Sequence, residues 1–253
     1  MQIKTDGLII RDLNVGEDDR IVTILTRSRG VVRASARGAR RVKSRLSTAT
    51  RLFCYSDFTL FKGREKYIID DAQPIEFFLG INKNLEGLAL AQYFAQAAAA
   101  VAPEEDNAEP FLRLMLNSLN FIKNGNKKLV QIKAVFELRI LTMAGYMPDL
   151  VACRNCGAYE DDTMYLDPIT GTLLCGDCAA LGHGAAVSGN PKLSKGALAA
   201  MRHIAYSDFE KLFSFSLPDA TLKELGAACE SYFKSQLERS FPTLDFYNSI
   251  AGK

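Results

Sequence analysis

The sequence predicts an α+β protein: a small five-stranded barrel first, then a helical domain, with a four-cysteine insert among the helices. Three observations predict it. Before Pro74, short β-rich apolar runs alternate with turn residues. After Pro74, apolar residues recur at helical spacing. Within the helical part, two C-x-x-C pairs, Cys153–Cys156 and Cys175–Cys178, stand eighteen residues apart.

The strands come first. Leu8-Ile9-Ile10, Ile21 to Leu25 and Val31-Val32 are short β-rich runs, separated by Asn14-Val15-Gly16 and Arg29-Gly30. Leu52 to Phe61 and Tyr67-Ile68-Ile69 add two more, joined by Lys62-Gly63-Arg64-Glu65-Lys66. Five strands within residues 1–75 suggest a closed barrel, and the five-stranded barrel that most often holds nucleic acid is the OB-fold. Phe53, Tyr55, Phe58, Phe61 and Tyr67 lie in the last strands. Such rings can stack on bases or fill the barrel. Alternation puts Phe53, Tyr55 and Phe61 on one face and Phe58 on the other, and the core is the expected place for most of them.

Helices follow. The first is expected over Glu76 to Val101, broken by Pro103-Glu104-Glu105-Asp106. A second carries Phe111, Leu114, Met115, Leu119 and Ile122 on one stripe and ends at Asn124-Gly125. A third carries Leu129, Ile132, Phe136, Ile140 and Met143 and ends at Gly145 and Pro148. Beyond the insert, Ser194 is placed to cap a helix running through His203, and Asp219 to cap another with Leu222, Leu225, Cys229, Tyr232 or Phe233, and Leu237 on its face. The organisation is thus 1–75 barrel, 76–150 and 185–253 helical, 151–184 insert.

The insert carries chemistry. Two C-x-x-C pairs at this separation can fold together and place four thiolates at the corners of a tetrahedron, which suits zinc at about 2.3 Å per Zn–S bond. Gly157 can take the left-handed conformation that turns backbone amides toward sulfur. Asp167-Pro168 and Thr170-Gly171 are turn dipeptides, so the span from Ala158 to Leu174 reads as a hairpin within a zinc ribbon. Four cysteines leave no open coordination position, so one structural Zn2+ is expected on Cys153, Cys156, Cys175 and Cys178. Two disulfides are the alternative and need an oxidising compartment. His183 is a further possible ligand, but the four-cysteine set is complete without it.

Charge points to a partner. The 253 residues carry a net charge of only +2. Nine of the 31 Lys and Arg lie between Arg27 and Arg51, a window with no Asp or Glu; 22 remain against 29 acidic residues elsewhere, a balance of −7. A basic segment on a mildly acidic body is the footprint of a polyanion site. Arg33 and the run Arg37, Arg40, Arg41, Lys43 and Arg45 are the candidate nucleic-acid contacts. Gly38 and Ala39 let backbone approach a phosphate chain, and arginine binds phosphate oxygens bidentately. The bland reading is a solvated surface loop.

Other classes find little support. Residues 1–7, MQIKTDG, show no basic start before an apolar run, so no secretory signal is expected. Leu88 to Ala102 is too short, and too broken by Gln92 and Gln96, to span a membrane, which leaves the cytoplasm as the default. No phosphate loop, nucleophile elbow or H-E-x-x-H occurs, and no catalytic residue is expected. Cys54 and Cys229 sit in apolar patterns as small buried groups, and His203 reads as an ordinary helix residue.

Together these residues resemble the RecO family of bacterial recombination mediators. The first match is Gly7-Leu8-Ile9-Ile10-Arg11, Gly16-Glu17-Asp18-Asp19-Arg20-Ile21-Val22, Leu25-Thr26, Gly30 and Ala36-Arg37-Gly38-Ala39-Arg40-Arg41. The second is Phe136-Glu137-Leu138-Arg139-Ile140-Leu141, Ala144-Gly145-Tyr146-Met147-Pro148 and Cys153-Arg154-Asn155-Cys156-Gly157. The resemblance implies an OB-fold, a helical domain and an embedded zinc loop. It implies binding to single- and double-stranded DNA, annealing of complementary strands, and loading of RecA onto DNA coated by the single-stranded-DNA-binding protein SSB. RecR and the SSB C-terminal tail are the implied partners, and the nucleoid the implied site of action. The rival class is a zinc-ribbon RNA-binding or transcription-associated protein; a second rival is a redox protein using its C-x-x-C pairs.

Overall fold

The computed structural model describes residues 2–63, 66–182 and 189–252. His183 and the Arg64-Glu65 step lie outside the described residues. The chain forms two compact units, 1–126 with 241–253, and 127–240. The helices expected as one domain are therefore divided between two units.

In the first unit, β1 (Gln2–Val15), β2 (Asp19–Thr26), β3 (Gly30–Ala36), β4 (Cys54–Lys62) and β5 (Tyr67–Phe77) close a barrel in the order β1-β2-β3-β5-β4. This is the OB arrangement. A short parallel pairing of Ala34 with Tyr67 and Ser35 with Ile68 closes it. Alternation drives the packing: Val22 and Ile24, Val32 and Ala34, Phe58 and Leu60, Tyr67 and Ile69 all point inward. A four-residue helix, α1 (Leu46–Ala49), plugs the barrel with Leu46 and Ala49. Its neighbour Thr50 accepts a 2.9 Å hydrogen bond from the buried Arg20 guanidinium.

Three aromatics are core and two are not. Phe53, Phe58 and Tyr67 are buried. Phe53 precedes β4 with φ +60, so strand parity does not govern it. Phe61 is exposed, and Tyr55 is half-buried with its hydroxyl donating to Asp6.

Strand β5 runs past Pro74, which pairs with Ser56 beside a register shift where the ladder is already interrupted. A 3-10 turn over Leu79–Lys83 follows, so α2 spans Leu85–Val101 and starts later than Glu76. Its start is set by Asn84, whose side chain accepts from the Glu86 amide at 3.0 Å. Helix α3 (Glu109–Asn124) ends at left-handed Gly125. The last helix of this unit, Pro242–Ile250, packs against α2.

The second unit holds α4 (Leu129–Met143), the strands β6 (Asp149–Cys153), β7 (Met164–Asp167), β8 (Thr172–Cys175) and β9 (Lys192–Leu193), and the helices α5 (Gly176–Ala180), α6 (Lys195–Tyr206) and α7 (Asp219–Leu237). With these labels, Pro242–Ile250 is α8. The strands form one sheet in the order β6-β8-β7-β9. Ser194 caps α6 by accepting from the Ala197 amide, while its own hydroxyl donates to Glu224 at 2.6 Å. At α7 the cap position is Pro218, and Asp219 is the first helical residue, ion-paired to Lys128.

Helix α4 is buried on almost every side, not on one stripe. Lys133 and Glu137 are both fully buried, and the Lys133 ammonium lies 2.8 Å from carboxylates of Glu137 and Glu230. Burial alone would strip the lysine of its proton; the two carboxylates, Glu137 first, outweigh it and raise the Lys133 pKa.

Candidate metal centre and nucleic-acid interface

Sheet geometry brings the four cysteines together. Cys153 ends β6 and Cys175 ends β8, adjacent strands that pair in parallel through Cys153 and Leu173. Cys156 lies in the turn after β6, and Cys178 in α5. The β7–β8 hairpin makes this possible: Asp167 accepts from the amides of Ile169 and Thr170, and Gly171 takes φ +69 to close the turn. Gly157 takes φ +76, and its amide donates to the Cys153 carbonyl at 2.9 Å.

All four Sγ atoms lie within 4.8 Å of one another, with Cys156 and Cys175 at 3.6 Å. A tetrahedron with about 2.3 Å bonds has edges of about 3.8 Å, so this spacing fits a four-thiolate metal. None of the four is in a disulfide. Sulfur is already supplied with donors: the Cys178 amide reaches Cys175 Sγ at 3.4 Å, and Asn155 Nδ2 reaches Cys178 Sγ at 3.2 Å. Burial resists ionisation of Cys153, but the amides of Cys156, Cys175 and Asn155 outweigh it and bring the thiol down to about 6. Burial and the neighbouring thiols push Cys175 up to about 12. Four converging sulfurs cannot all ionise unaided; a divalent cation at their centre removes the conflict.

The ribbon is held to α6 by a residue that charge counting passed over. Arg202 donates to the carbonyls of Leu150 at 2.7 Å, Val151 at 2.9 Å and Tyr159 at 2.7 Å. Its guanidinium also stacks 3.9 Å from the centre of the Tyr159 ring. Nothing local in Met201-Arg202-His203 signals this, because its partners, three backbone carbonyls and the Glu160 carboxylate at 3.7 Å, all lie more than forty residues away.

The basic segment lies on the barrel. Arg33 is exposed on β3, and Arg37, Arg40, Arg41, Lys43 and Arg45 are exposed in the turns between β3 and α1. Ala39 is buried in the barrel core and anchors the loop from beneath. The β1–β2 turn anchors it from the side. The Arg40 amide donates to the Asp18 carbonyl at 2.9 Å, the Gly38 amide to Asp19 Oδ1 at 2.8 Å, and Arg40 Nη1 to the Gly16 carbonyl at 2.8 Å.

A window free of acid in sequence is not free of acid in space. Asp18 pairs with Arg41 at 2.8 Å. Asp6 takes a forked contact from Arg27, which also meets Glu109 at 3.4 Å. Among the described residues, Arg33, Arg37, Arg40, Lys43 and Arg45 have no carboxylate within ion-pair distance. These five, with Arg29 and Arg51 likewise outside any ion pair among the described residues and Arg41 half-neutralised beside them, are the cations of the window left uncompensated.

The remaining thiols are inert. Burial raises the pKa of both Cys54 and Cys229. His203 sits in α6 with Nε2 2.8 Å from the Lys211 carbonyl. Among the described residues, no helix is long and apolar enough to cross a membrane.

An OB-type barrel with a clustered basic loop, in one chain with a helical unit whose four cysteines are placed to hold a metal ion, is the architecture of a nucleic-acid-binding class. Comparison with known proteins narrows the class. The family described as Recombination protein O N terminal matches residues 1–78, and Recombination protein O C terminal matches 82–245. The chain is similar to the DNA repair protein RecO of Acetivibrio thermocellus, at 38% identity over 98% of this chain and 97% of that one. It is 31% identical to the Symbiobacterium thermophilum protein of that name, over 97% and 96% of the two chains. The Dehalococcoides mccartyi protein is 30% identical, over 98% and 96%. This chain belongs to the RecO family, and its role is in DNA repair and recombination.

Proposed function

We propose that the protein is a recombination mediator that binds single- and double-stranded DNA through the barrel, anneals complementary strands, and helps load RecA onto SSB-coated single strands. RecR and the SSB C-terminal tail are its partners, and it works at the nucleoid in the cytoplasm. It has no active site of its own. One structural Zn2+ sits on Cys153, Cys156, Cys175 and Cys178 and holds the ribbon.

The observation that carries this reading is the anchored loop of exposed cations on an OB barrel, in a chain of the RecO family. Annealing brings two polyanions together, and each cation that neutralises a phosphate releases a counterion. Arg33, Arg37, Arg40, Arg41, Lys43 and Arg45 contact phosphates, so binding is sequence-independent. Anchoring by Ala39 and the Asp18–Asp19 turn lowers the ordering cost of binding, because the backbone is held before DNA arrives.

The test is annealing of complementary oligonucleotides, with and without bound SSB. The parent accelerates annealing, and an Arg40→Ala, Arg41→Ala double variant loses most of that acceleration. Each neutralised phosphate lost lowers the slope of log affinity against log salt by roughly 0.7 on single strands. A double variant that binds and anneals like the parent across a salt titration reduces the loop to a solvated face. Preference for RNA that depends on the 2′-hydroxyl points instead to an RNA-binding protein.

A further inference from the structure

One barrel cation away from the 37–45 loop, Lys62, is held by acid. A cleft of about 360 Å3 opens where β3, the β4–β5 connection and the start of β5 meet, and the barrel contributes Arg33, Lys62, Lys66 and Tyr67 to its wall. Among the described residues, the acids that line it are Glu104 and Glu105, which arrive from the segment after α2.

That segment is laid against the β2–β3 hairpin as an extra edge. The Val31 amide donates to the Pro103 carbonyl at 2.9 Å, the Glu105 amide to the Arg29 carbonyl at 3.0 Å, and the Ala108 amide to the Arg27 carbonyl at 2.9 Å. Glu104 bridges to Gly30. Gly30 has φ +62, and a Cβ there would lie 1.8 Å from the Pro103 carbonyl oxygen, so only glycine lets the segment approach so closely. At the cleft, Glu105 takes φ +58, a left-handed conformation rare for a side chain of this kind. Its carboxylate receives Lys62 Nζ at 3.0 Å and the Tyr67 hydroxyl at 2.8 and 3.0 Å. The Lys62 ammonium first, and then the Tyr67 hydroxyl, lower the Glu105 pKa, so the group stays ionised. An ammonium and a hydroxyl converging on two anionic oxygens are the donors a phosphodiester takes.

We propose that Pro103–Asp106 is a carboxylate gate on a second phosphate-binding cleft, in which Glu105 occupies the Lys62 ammonium and the Tyr67 hydroxyl that a single DNA strand engages when the gate swings away. The inference rests on reading the barrel as DNA-binding. A strand phosphate exchanges with the Glu105 carboxylate on Lys62 and Tyr67, and the strap leaves with its carboxylates. Each entering phosphate displaces an internal anion, so this cleft holds DNA weakly and releases it readily. The backbone strain at Glu105 favours release of the strap once its side-chain partners are taken.

The experiment measures affinity for an oligothymidylate of about 16 nucleotides, the upper site size of one OB barrel, by anisotropy across a salt series. Glu104→Gln, Glu105→Gln should bind about five- to tenfold tighter at roughly 0.05 M salt, with a slope steeper by about 0.7 for the one cation set free. Lys62→Gln should cost little in the parent and erase the gain in the double-glutamine background. Glu105→Gln alone removes the carboxylate on Lys62 and leaves the phosphate donors in place; it must also tighten binding, and keeps the test open should the double variant fold poorly. Unchanged or weaker binding by the strap variants, or a gain that survives Lys62→Gln, overturns the gate. Arg40→Ala, Arg41→Ala reports the reading beneath it. If that variant loses binding while the strap variants stay at parent affinity, only the gate falls; if all bind like the parent, both fall.

Discussion

The cysteine ribbon and the basic loop hold their functional groups by opposite means. The ribbon converges four sulfurs on one point, where they cannot all ionise unaided. The loop spreads its cations outward, and backbone bonds to the β1–β2 turn keep it in place with no ligand present. On the proposed function, one region depends on its bound ion for stability, and the other is in place before its partner comes. Perturbing the first should change folding, and perturbing the second should change binding alone.

The largest expected effect is on the ribbon. Cys175→Ser should abolish stoichiometric zinc and unfold the ribbon, because the binding free energy of such a site, of order 10 kcal/mol, is folding free energy. Metal analysis with hydrogen exchange checks this: protection should vanish across 149–182 and persist in the barrel strands. Metal-free parent protein with native protection in the ribbon would break the comparison.

Next is the buried lysine of the same unit. Lys133→Met leaves Glu137 buried beside a cavity with no ammonium, and should cost about 3–5 kcal/mol in urea unfolding. The pH dependence carries a sign. Burial alone would raise the Glu230 carboxyl, but the Lys133 ammonium outweighs it and holds the pKa at about 2, against an ordinary 4.5. A depressed carboxylate stabilises fully above its unfolded pKa, so this contribution is complete above about pH 5 and lost as pH falls toward 2. In Lys133→Met that acid dependence should shrink; an unchanged profile would assign it to other carboxylates.

Arg202→Ala should destabilise by about 3 kcal/mol, through three carbonyls left without their charged donor and a lost stacking contact. Its DNA affinity should equal the parent's. Weakened DNA binding with intact zinc would place a nucleic-acid contact on the ribbon and blur the contrast between the regions.

The smallest effect sharpens the loop itself. Arg41 already spends part of its charge on Asp18, whereas Arg40 meets only a carbonyl. Arg40→Ala should weaken oligonucleotide binding by about 1 kcal/mol, and Arg41→Ala by less, each without a shift in melting temperature. An equal loss at both positions would mean that the Asp18 pair opens on binding.

How much of this was legible depends on where each feature's cause lies in the chain. The ribbon was legible because sulfur, spacing and turn residues are all local to 153–178. The barrel was legible because inward Val, Ile and Phe alternate at period two. The start of α2 was obscured because Pro74 reads as a strand stop, whereas here it sits where the β4–β5 register already shifts. Helix α4 was read from Leu129, Ile132, Phe136, Ile140 and Met143 alone; the burial of its Lys133–Glu137 pair was not legible, because Glu230, which meets Lys133, comes from a distant helix. Asp18 reaches Arg41 through hairpin register, which composition within a window does not contain. Phe61 was placed on one face with Phe53, whose positive φ breaks the count.

The first unit is written in two pieces, with its last helix separated from the rest by the whole of 127–240. Phe241 stacks edge-on against Tyr93 of α2, and Leu244 and Tyr247 are buried in that unit. On a ribosome the ribbon unit is therefore fully synthesised while the barrel unit still lacks the segment that covers α2. The nascent barrel must wait, with Tyr93 bare, until α8 clears the exit tunnel, and by then the cysteines have already been free to take their metal.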